Sequence, residues 1–454
     1  MLRVKKLTAT DVHGYIPLNI TFKSNLTFLT GSNGCGKTTA LKLITAVLQP
    51  NFELLDEIKF ADLKLRCWIN EFLVDIMLDK NDMDGQREIK WTLVKKVRSK
   101  TKKDDQGEEF NGEFRLYPKF SFSRYNREEY SNVKENISFD FVNSKFYDLI
   151  FSFSNPIFLG IDRKIIGNAR ELERLRYRTK FGNIHKSGSV GFDHAQKVII
   201  DYVGNIADSK KKYVEEFKSD IFTSLFKYLK YKNESSIFSF FNQKDLESKK
   251  QVTIQAINSL EMENEILEEV ESYFDSLEKI QNKLNVGEKK IHENRPEDLN
   301  EWFMNRPHVQ RIELVSKFAK EFQKKIDDLD YPLTEITKIV NSFFEESHKC
   351  IRIGANGAIH VDWAERGIST KNLSSGEIQL IVIITHLVFC EQNDEPTVFV
   401  IDEPELSLHI SWQEKFVKAI TEASPSTQFI LATHSPAIIS KLEYEKSCVY
   451  LKNV

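Results

Sequence analysis

The stretch LTFLTGSNGCGKTTAL, residues 26–41, decides the fold. A β-prone apolar run through Leu26, Phe28 and Leu29 enters GSNGCGKT, which fits GxxxxGK[ST] at Gly31, Gly34, Gly36, Lys37 and Thr38, and the helical run ALKLITAVL follows. Strand, glycine loop and helix in that order form a cradle for phosphate. The glycines let the loop wrap tightly, so backbone N–H groups from Gly31, Ser32, Asn33, Gly34, Cys35 and Gly36 turn inward at a helix N-terminus. Lys37 brings a charge for the β- and γ-phosphates, Thr38 offers a hydroxyl to Mg2+, and Thr39 completes the nucleotide-binding set. ATP and Mg2+ are therefore the expected ligands. Cys35 is used there for its backbone, and its place at a helix N-terminus also makes it a candidate redox switch.

Towards the other end, TVFVIDE (397–403) is an apolar, β-branched run closed by two acids. It reads as a buried parallel strand carrying carboxylates to its C-terminal edge. Asp402 is the expected Mg2+ ligand, and Glu403 the general base that polarises the attacking water. QFILATHSP (428–436) is a further apolar strand, ending at Thr433, His434 and Ser435. His434 at that edge can sense the γ-phosphate. Glu403, Lys37 and His434 form the catalytic set.

Between Thr38 and Asp402 lies NLSSGEIQL (372–380). Leu373-Ser374-Ser375-Gly376-Glu377 resembles the signature motif of ABC-type ATPases, LSGGQ in its commonest form. Asp402-Glu403-Pro404 matches that family's extended Walker B motif. Ser407, Leu408 and His409 sit in its D-loop, and His434 matches its switch histidine. The order of the motifs is the family's order. Ser374 and Gly376 precede a helical run, so hydroxyl and N–H groups gather at a helix N-terminus, which is an anion site. The resemblance implies that Ser374, Ser375, Gly376 and Glu377 bind nucleotide in trans, on a second copy, so that two chains sandwich two ATPs. Two departures stand out. The D-loop ends in His409 where transporters usually have Asp, a variant that resembles the non-transporter ATPases of the OLD and RecF type, within the wider OLD/RecF/Rad50-like group. Gln86 is the candidate Q-loop glutamine, without a motif to anchor it.

The remaining chain narrows the class. The 454 residues are 41% hydrophobic and 29% charged with net charge −3, which is globular composition, two to four domains' worth, without a global basic field. Five dispersed cysteines argue against a disulfide framework or zinc site and suit a reducing compartment. No leader-like h-region and no apolar run of about 18 residues is seen, so a cytoplasmic protein without a membrane partner is expected. The 335 residues between Thr38 and Ser374 far exceed what a transporter domain places there, yet lack the long arm of Rad50 and SMC proteins.

That interval reads as β-rich segments at 58–72, 88–97, 114–126 and 154–164, with a charged hairpin tip at 95–112. An amphipathic helix is expected over 202–231. Two runs of heptad spacing, Ile266 to Leu284 and Ile312 to Leu329, are expected to form a short antiparallel helical hairpin, with Pro332 ending its second helix. A two-stranded hairpin then turns at Asn356-Gly357. Arg170, Arg174, Arg176 and Arg178 are a candidate DNA or partner contact, or a solvated helix face. The expected fold is an α/β, ABC-type P-loop ATPase head split by a mostly helical insertion. Its parts are an N-terminal lobe over 1–165, the insertion over 166–346, and a C-terminal lobe over 347–454.

LGIDR, LSSGEIQ and DEPELSLH bring the chain nearest to the compact ATPase subunits of anti-phage defence systems, the Septu-type PtuA and retron-associated families, with the PARIS ATPase a near neighbour. That resemblance implies an oligomeric, ATP-bound sensor controlling a separate nuclease subunit. The alternative is a RecF-type repair or chromosome-maintenance ATPase acting directly on DNA. An OLD nuclease is not expected, since 19 residues follow Ser435.

Overall fold

The computed structural model describes residues 2–49, 52–69, 72–83, 86–96, 114–116, 120–124, 157–159, 165–166, 189–226, 243–259, 264–285, 296–392, 398–439 and 442–452. They fall into two compact units. The first contains residues 1–198, 335–354 and 358–454, and the second residues 199–334 and 355–357.

Two sheets build the first unit. One is antiparallel and starts with β1 (Leu2–Val12), β2 (Ile16–Thr21), β4 (Asp62–Ile69), β5 (Phe72–Met83) and β6 (Gln86–Lys96). Its order is β2-β1-β4-β5-β6, closed by β7 (Phe114–Leu116) and β8 (Phe120–Arg124), both on β6. β4 shows why it is one-sided: Leu63, Leu65, Cys67 and Ile69 are buried at every second position, while the charged residues between them reach solvent. Asp75 of β5 is buried, and its carboxylate accepts from Arg66 Nε at 2.6 Å and pairs with Lys64 at 3.0 Å.

The second sheet is the scaffold of the site. Its strands are β3 (Leu26–Thr30), β9 (Ile157–Leu159), β10 (Ile165–Ile166), β14 (Val398–Asp402), β15 (Gln428–Ala432) and β16 (Cys448–Tyr450). The order is β10-β9-β14-β15-β3-β16, parallel except at β10. Every residue of β14 and of β15 is buried. This is the signature of a strand covered on both faces, and it accounts for the continuous apolar runs VFVI and FILA. Each such side chain contributes about 1.5–3 kcal/mol on burial. Register pairs Asp402 with Ala432 and Ala432 with Leu29, so these three strands end on one edge. Helix α1 (Lys37–Leu48) springs from that edge after β3.

The Asn356-Gly357 hairpin forms as expected, joining β11 (Lys349–Ile353) and β12 (Ile359–Trp363) through Gly357 at φ +80°. A third strand, β13 (Arg366–Ile368), extends it; three residues including a glycine gave no alternation to read. A short 3-10 turn then leads to α7 (Ser375–Gln392).

The second unit is helical. It is drawn from α3 (Ser189–Phe226), α4 (Gln243–Ser259), α5 (Asn264–Asn285) and α6 (Pro296–Phe344). The helix over Gln243–Ser259 is an addition to the expected helix at 202–231 and the two heptad segments. The helical core joins Phe217, Ala256, Ala319, Phe322 and Ile326, with the Phe217 and Phe322 rings stacked at 4.7 Å. On α5 the buried positions are Phe274 and Leu277, while Ile266 of the proposed seam is 38% exposed. The unit comprises residues 199–334 and 355–357. The outer turns of its long helices belong to the head, where Phe192 and Ala195 are buried and Phe343 and Phe344 pack on Trp412.

One expectation is overturned outright. Pro332 does not end a helix: α6 runs unbroken from Pro296 to Phe344, with Pro332 buried in its interior. A proline there costs roughly 3 kcal/mol through a lost N–H and a ring clash. Tertiary contacts on the same turns offset it. Tyr202 Oη donates to the Leu329 carbonyl at 2.9 Å, Lys210 pairs with Asp330 at 2.6 Å, and Lys325 bonds Glu216 at 2.9 Å. The expected helix over 202–231 falls on α3 as far as residue 226; residues 227–231 and most of the charged tip at 95–112 lie outside the described residues.

Candidate nucleotide-binding site

The loop after β3 takes a shape only glycine adopts freely. Gly31, Gly34 and Gly36 have φ of +144°, +83° and +93°. A Cβ on Gly31 would stand 2.4 Å from the Leu451 carbonyl oxygen and 2.8 Å from Cys35 Sγ. Gly36 caps α1, its carbonyl accepting from Ala40 N at 2.8 Å. Lys37 is 6% exposed, and its ammonium donates to the carbonyls of Gly31 and Ser32 at 3.0 and 3.1 Å. The charge is thus held against the loop backbone. Cys35, the candidate redox switch, is buried with its thiol 3.9 Å from that ammonium. The turn between β1 and β2 also reaches this loop: His13 Nε2 lies 3.2 Å from Thr39 Oγ1.

At the neighbouring strand end, Thr38 Oγ1 donates to Asp402 Oδ1 at 3.2 Å. The other oxygen, Asp402 Oδ2, is buried with no hydrogen-bond partner. Burial pushes the Asp402 carboxyl up, against the Thr38 bond and the charges of Lys42 and Lys37. An orphaned buried carboxylate oxygen beside the Thr38 hydroxyl is an oxygen donor pair of the kind a hard cation completes, so these residues fit Mg2+. Among the described residues no cluster of three or more His, Cys, Asp or Glu forms an all-protein metal cage.

Glu403 follows in a left-handed conformation, φ +51°, which turns its side chain off the strand direction. One carboxylate oxygen lies 3.6 Å from His434 Nε2. Its pKa is pushed up to about 7, first by burial, then by a hydrogen bond with Glu405 and the charges of Glu405 and Asp402. The geometry thus joins Lys37, Thr38, Asp402, Glu403 and His434 along one sheet edge.

Glu405, named in the sequence only as part of the D-loop stretch, is the residue that sequence reasoning missed. Its carboxylate accepts from Thr433 Oγ1 at 2.8 Å, His434 N at 2.7 Å and Ser435 N at 3.1 Å. Nothing in DEPELSLH announces this, because its partners stand nearly thirty residues downstream. Gln413, on α8 (Ile410–Ala423), was missed for the same reason.

The signature segment is built as a capping box. Ser374 Oγ accepts from Glu377 N at 3.3 Å, and Glu377 Oε2 accepts from Ser374 N at 2.6 Å. Lys349 of β11 donates to both Glu377 oxygens, at 2.8 and 3.1 Å. Glu377 and Gly376 are buried, whereas Ser374 and Ser375 are exposed. Of the four signature positions, these two serines are the ones that reach solvent. In the D-loop, Leu408 is buried and His409 is exposed, with Nδ1 3.0 Å from Ser411 Oγ. Ser407's side chain and the Arg170, Arg174, Arg176 and Arg178 segment lie outside the described residues. Gln86 opens β6 at the β5–β6 turn of the antiparallel sheet and not at the parallel edge.

Parallel strands that bring a phosphate loop, an acidic pair and a histidine to a common edge, with a capped signature helix nearby in sequence, define an ABC-type P-loop ATPase. The AAA ATPase domain family matches residues 14–439, and the chain belongs to that family. It is 22% identical over 462 residues to the Retron Vc95 probable ATPase of Vibrio cholerae serotype O1 biovar El Tor, covering 98% of this chain and 73% of the relative. Among solved structures it is similar to the Smc head domain of Pyrococcus furiosus bound to the C-terminal domain of ScpA, at 12% identity. That match covers 97% of this chain and 92% of the other with TM-score 0.35. The Smc head domain of Pyrococcus yayanosii matches at 13% identity, covering 97% and 93%, with TM-score 0.32. No helix among the described residues is long and apolar enough to cross a membrane.

Proposed function

We propose that the protein is the ATP-hydrolysing switch subunit of a cytoplasmic anti-phage defence complex, in which two copies close around two ATP molecules and control a separate nuclease. The observation that carries the ATPase part is the convergence of Thr38, Asp402, Glu403 and His434 on the edge beside the Lys37 loop. The similarity to a retron ATPase supports the defence setting.

In this reading the loop amides of Gly31 to Thr39 and the Lys37 ammonium hold the triphosphate, Lys37 giving up its bonds to Gly31 and Ser32. Thr38 and Asp402 would hold Mg2+, which would supply positive charge to the triphosphate. Glu403 takes a proton from the water that attacks the γ-phosphorus, and ADP departs with the displaced oxygen. Its raised pKa favours proton capture near neutrality. His434 touches the γ-phosphate and Glu403 together, so it registers whether that phosphate is present. The exposed Ser374 and Ser375, at the positive end of α7, close on the γ-phosphate held by the second copy. Glu377 stays behind them as their scaffold. The D-loop residues Ser407, Leu408 and His409 meet the partner, and ATP holds the pair together until it is hydrolysed.

The test is the mass and composition of the Glu403→Gln protein, purified with ATP and Mg2+ after expression with its neighbouring genes. The amide keeps the carboxylate's shape but takes no proton, so the closed assembly should accumulate. A large complex containing a second polypeptide with nuclease motifs is the expected result. An ATP-dependent dimer that carries no partner and binds DNA would replace this reading with the repair one.

A further inference from the structure

We infer that Glu405 is a positioning residue: it locks the loop that carries His434 onto the D-loop, so that the two move as one body. The inference rests on the ATPase reading above.

His434 has no regular structure to fix it. β15 ends at Ala432, and residues 433–435 continue without helix or strand. A group that must judge the presence of a phosphate needs placement within about 0.5 Å, which a bare loop does not provide. Glu405 supplies it. Three consecutive residues, Thr433, His434 and Ser435, donate to its two oxygens at 2.7–3.1 Å. Ser435 N also reaches Thr433 Oγ1 at 3.0 Å, closing the loop on itself around the carboxylate.

A second side chain completes the lock from the other direction. Gln413 Nε2 donates to the carbonyls of Leu408 and Glu405 at 2.9 and 3.4 Å, and its Oε1 accepts from Ser435 Oγ at 2.6 Å. Ser435 Oγ in turn accepts from Ala437 N at 3.2 Å. Residues 405–408 and 433–437 are thus joined through both side chains. A displacement of the D-loop by a second chain is carried to His434 without passing through the nucleotide. The phosphate-sensing group and the partner-facing loop share one rigid mount.

The experiment compares wild type, Glu405→Ala, Glu405→Asp and Glu405→Gln in three measurements: steady-state ATP hydrolysis, equilibrium binding of a fluorescent ATP analogue, and hydrogen–deuterium exchange of the 428–439 peptide. Glu405→Gln keeps one carbonyl oxygen for the two N–H groups and can donate to the Thr433 hydroxyl. Glu405→Asp is one methylene too short. The expected result is a kcat about 10²-fold lower for Ala and Asp with analogue affinity unchanged, faster exchange at His434 and Ser435, and near-complete recovery of both in Gln. Exchange that stays at the wild-type rate in Glu405→Ala overturns the inference. So does a loss of analogue binding equal to the loss of turnover, or a Gln variant as slow as Ala, which would mean the charge acts directly. A wild type that fails to hydrolyse ATP would sink the ATPase reading alone, because the exchange comparison still decides the lock.

Discussion

Glu377 ties the signature segment to β11. Read from sequence it belongs with the trans nucleotide contacts, but in the fold its carboxylate is 5% exposed and fully engaged. It accepts from Ser374 N at 2.6 Å and from Lys349 Nζ at 2.8 and 3.1 Å, with Lys349 itself only 20% exposed. Replacing it by alanine removes half of the capping box and strands a mostly buried ammonium. Charge-assisted bonds at such sites are worth about 1.5–3 kcal/mol each and do not add, so Glu377→Ala should cost about 2–4 kcal/mol. In a unit of this size that lowers the melting temperature by roughly 4–8 °C. Glu377→Gln retains an acceptor for Ser374 N and loses only the charge facing Lys349, for about 1 kcal/mol. Thermal melts and ATP turnover well below the melting point should therefore disagree. Both variants are less stable, yet Gln turns over within about twofold of wild type. The reasoning is refuted if Glu377→Ala melts with wild type while turnover collapses, since the carboxylate would then be touching nucleotide.

Two further outcomes follow from the geometry. Gly31→Ala should lose nucleotide binding at least tenfold in a fluorescent-analogue titration and melt lower, because φ +144° and the Leu451 carbonyl 2.4 Å away leave no room for a Cβ; unaltered binding would show that the loop is not held in this shape. Asp75 is a pH test. Burial would raise its pKa, but the bonds from Arg66 and Lys64 more than reverse this and hold it below the ordinary 3.8. A depressed folded-state value means the stabilisation is fully present above about pH 3.8 and is lost as the pH falls through the folded value. Urea melts of Asp75→Asn against wild type should therefore show a gap at pH 7 that closes on acidification, and a gap that widens would contradict the ion pair.

What could be read from the sequence was what local patterns encode. Leu26 to Thr38 and Val398 to Glu403 announced their strand, loop and acid edge because burial on both faces forces unbroken apolar runs and the loop demands its glycines. The Asn356-Gly357 turn was equally local. The misses are tertiary. Pro332 sits inside α6 because Tyr202, Lys210 and Glu216 brace the turns around it, and no window around the proline contains them. Glu405 gains its importance from residues on another strand's end. Glu377 has a second, local reading. The S-x-x-E spacing of Ser374 and Glu377 is a capping-box pattern available in the sequence, outweighed there by the resemblance to a phosphate-binding motif.

The central claim is that one chain's Lys37 loop works with another chain's signature helix, and a mixing experiment tests it directly. Lys37→Ala removes the phosphate-holding charge. Ser375→Glu places a negative charge at the first turn of α7, where the helix dipole tolerates it but the γ-phosphate does not. Each protein alone should be inactive in phosphate release. Mixed in equal amounts, half of the dimers are mixed and hold one intact site of two, so activity should return to roughly a quarter of the wild-type rate. A mixture as inactive as its components, from proteins that remain folded and exchange subunits, would contradict a site shared between two chains.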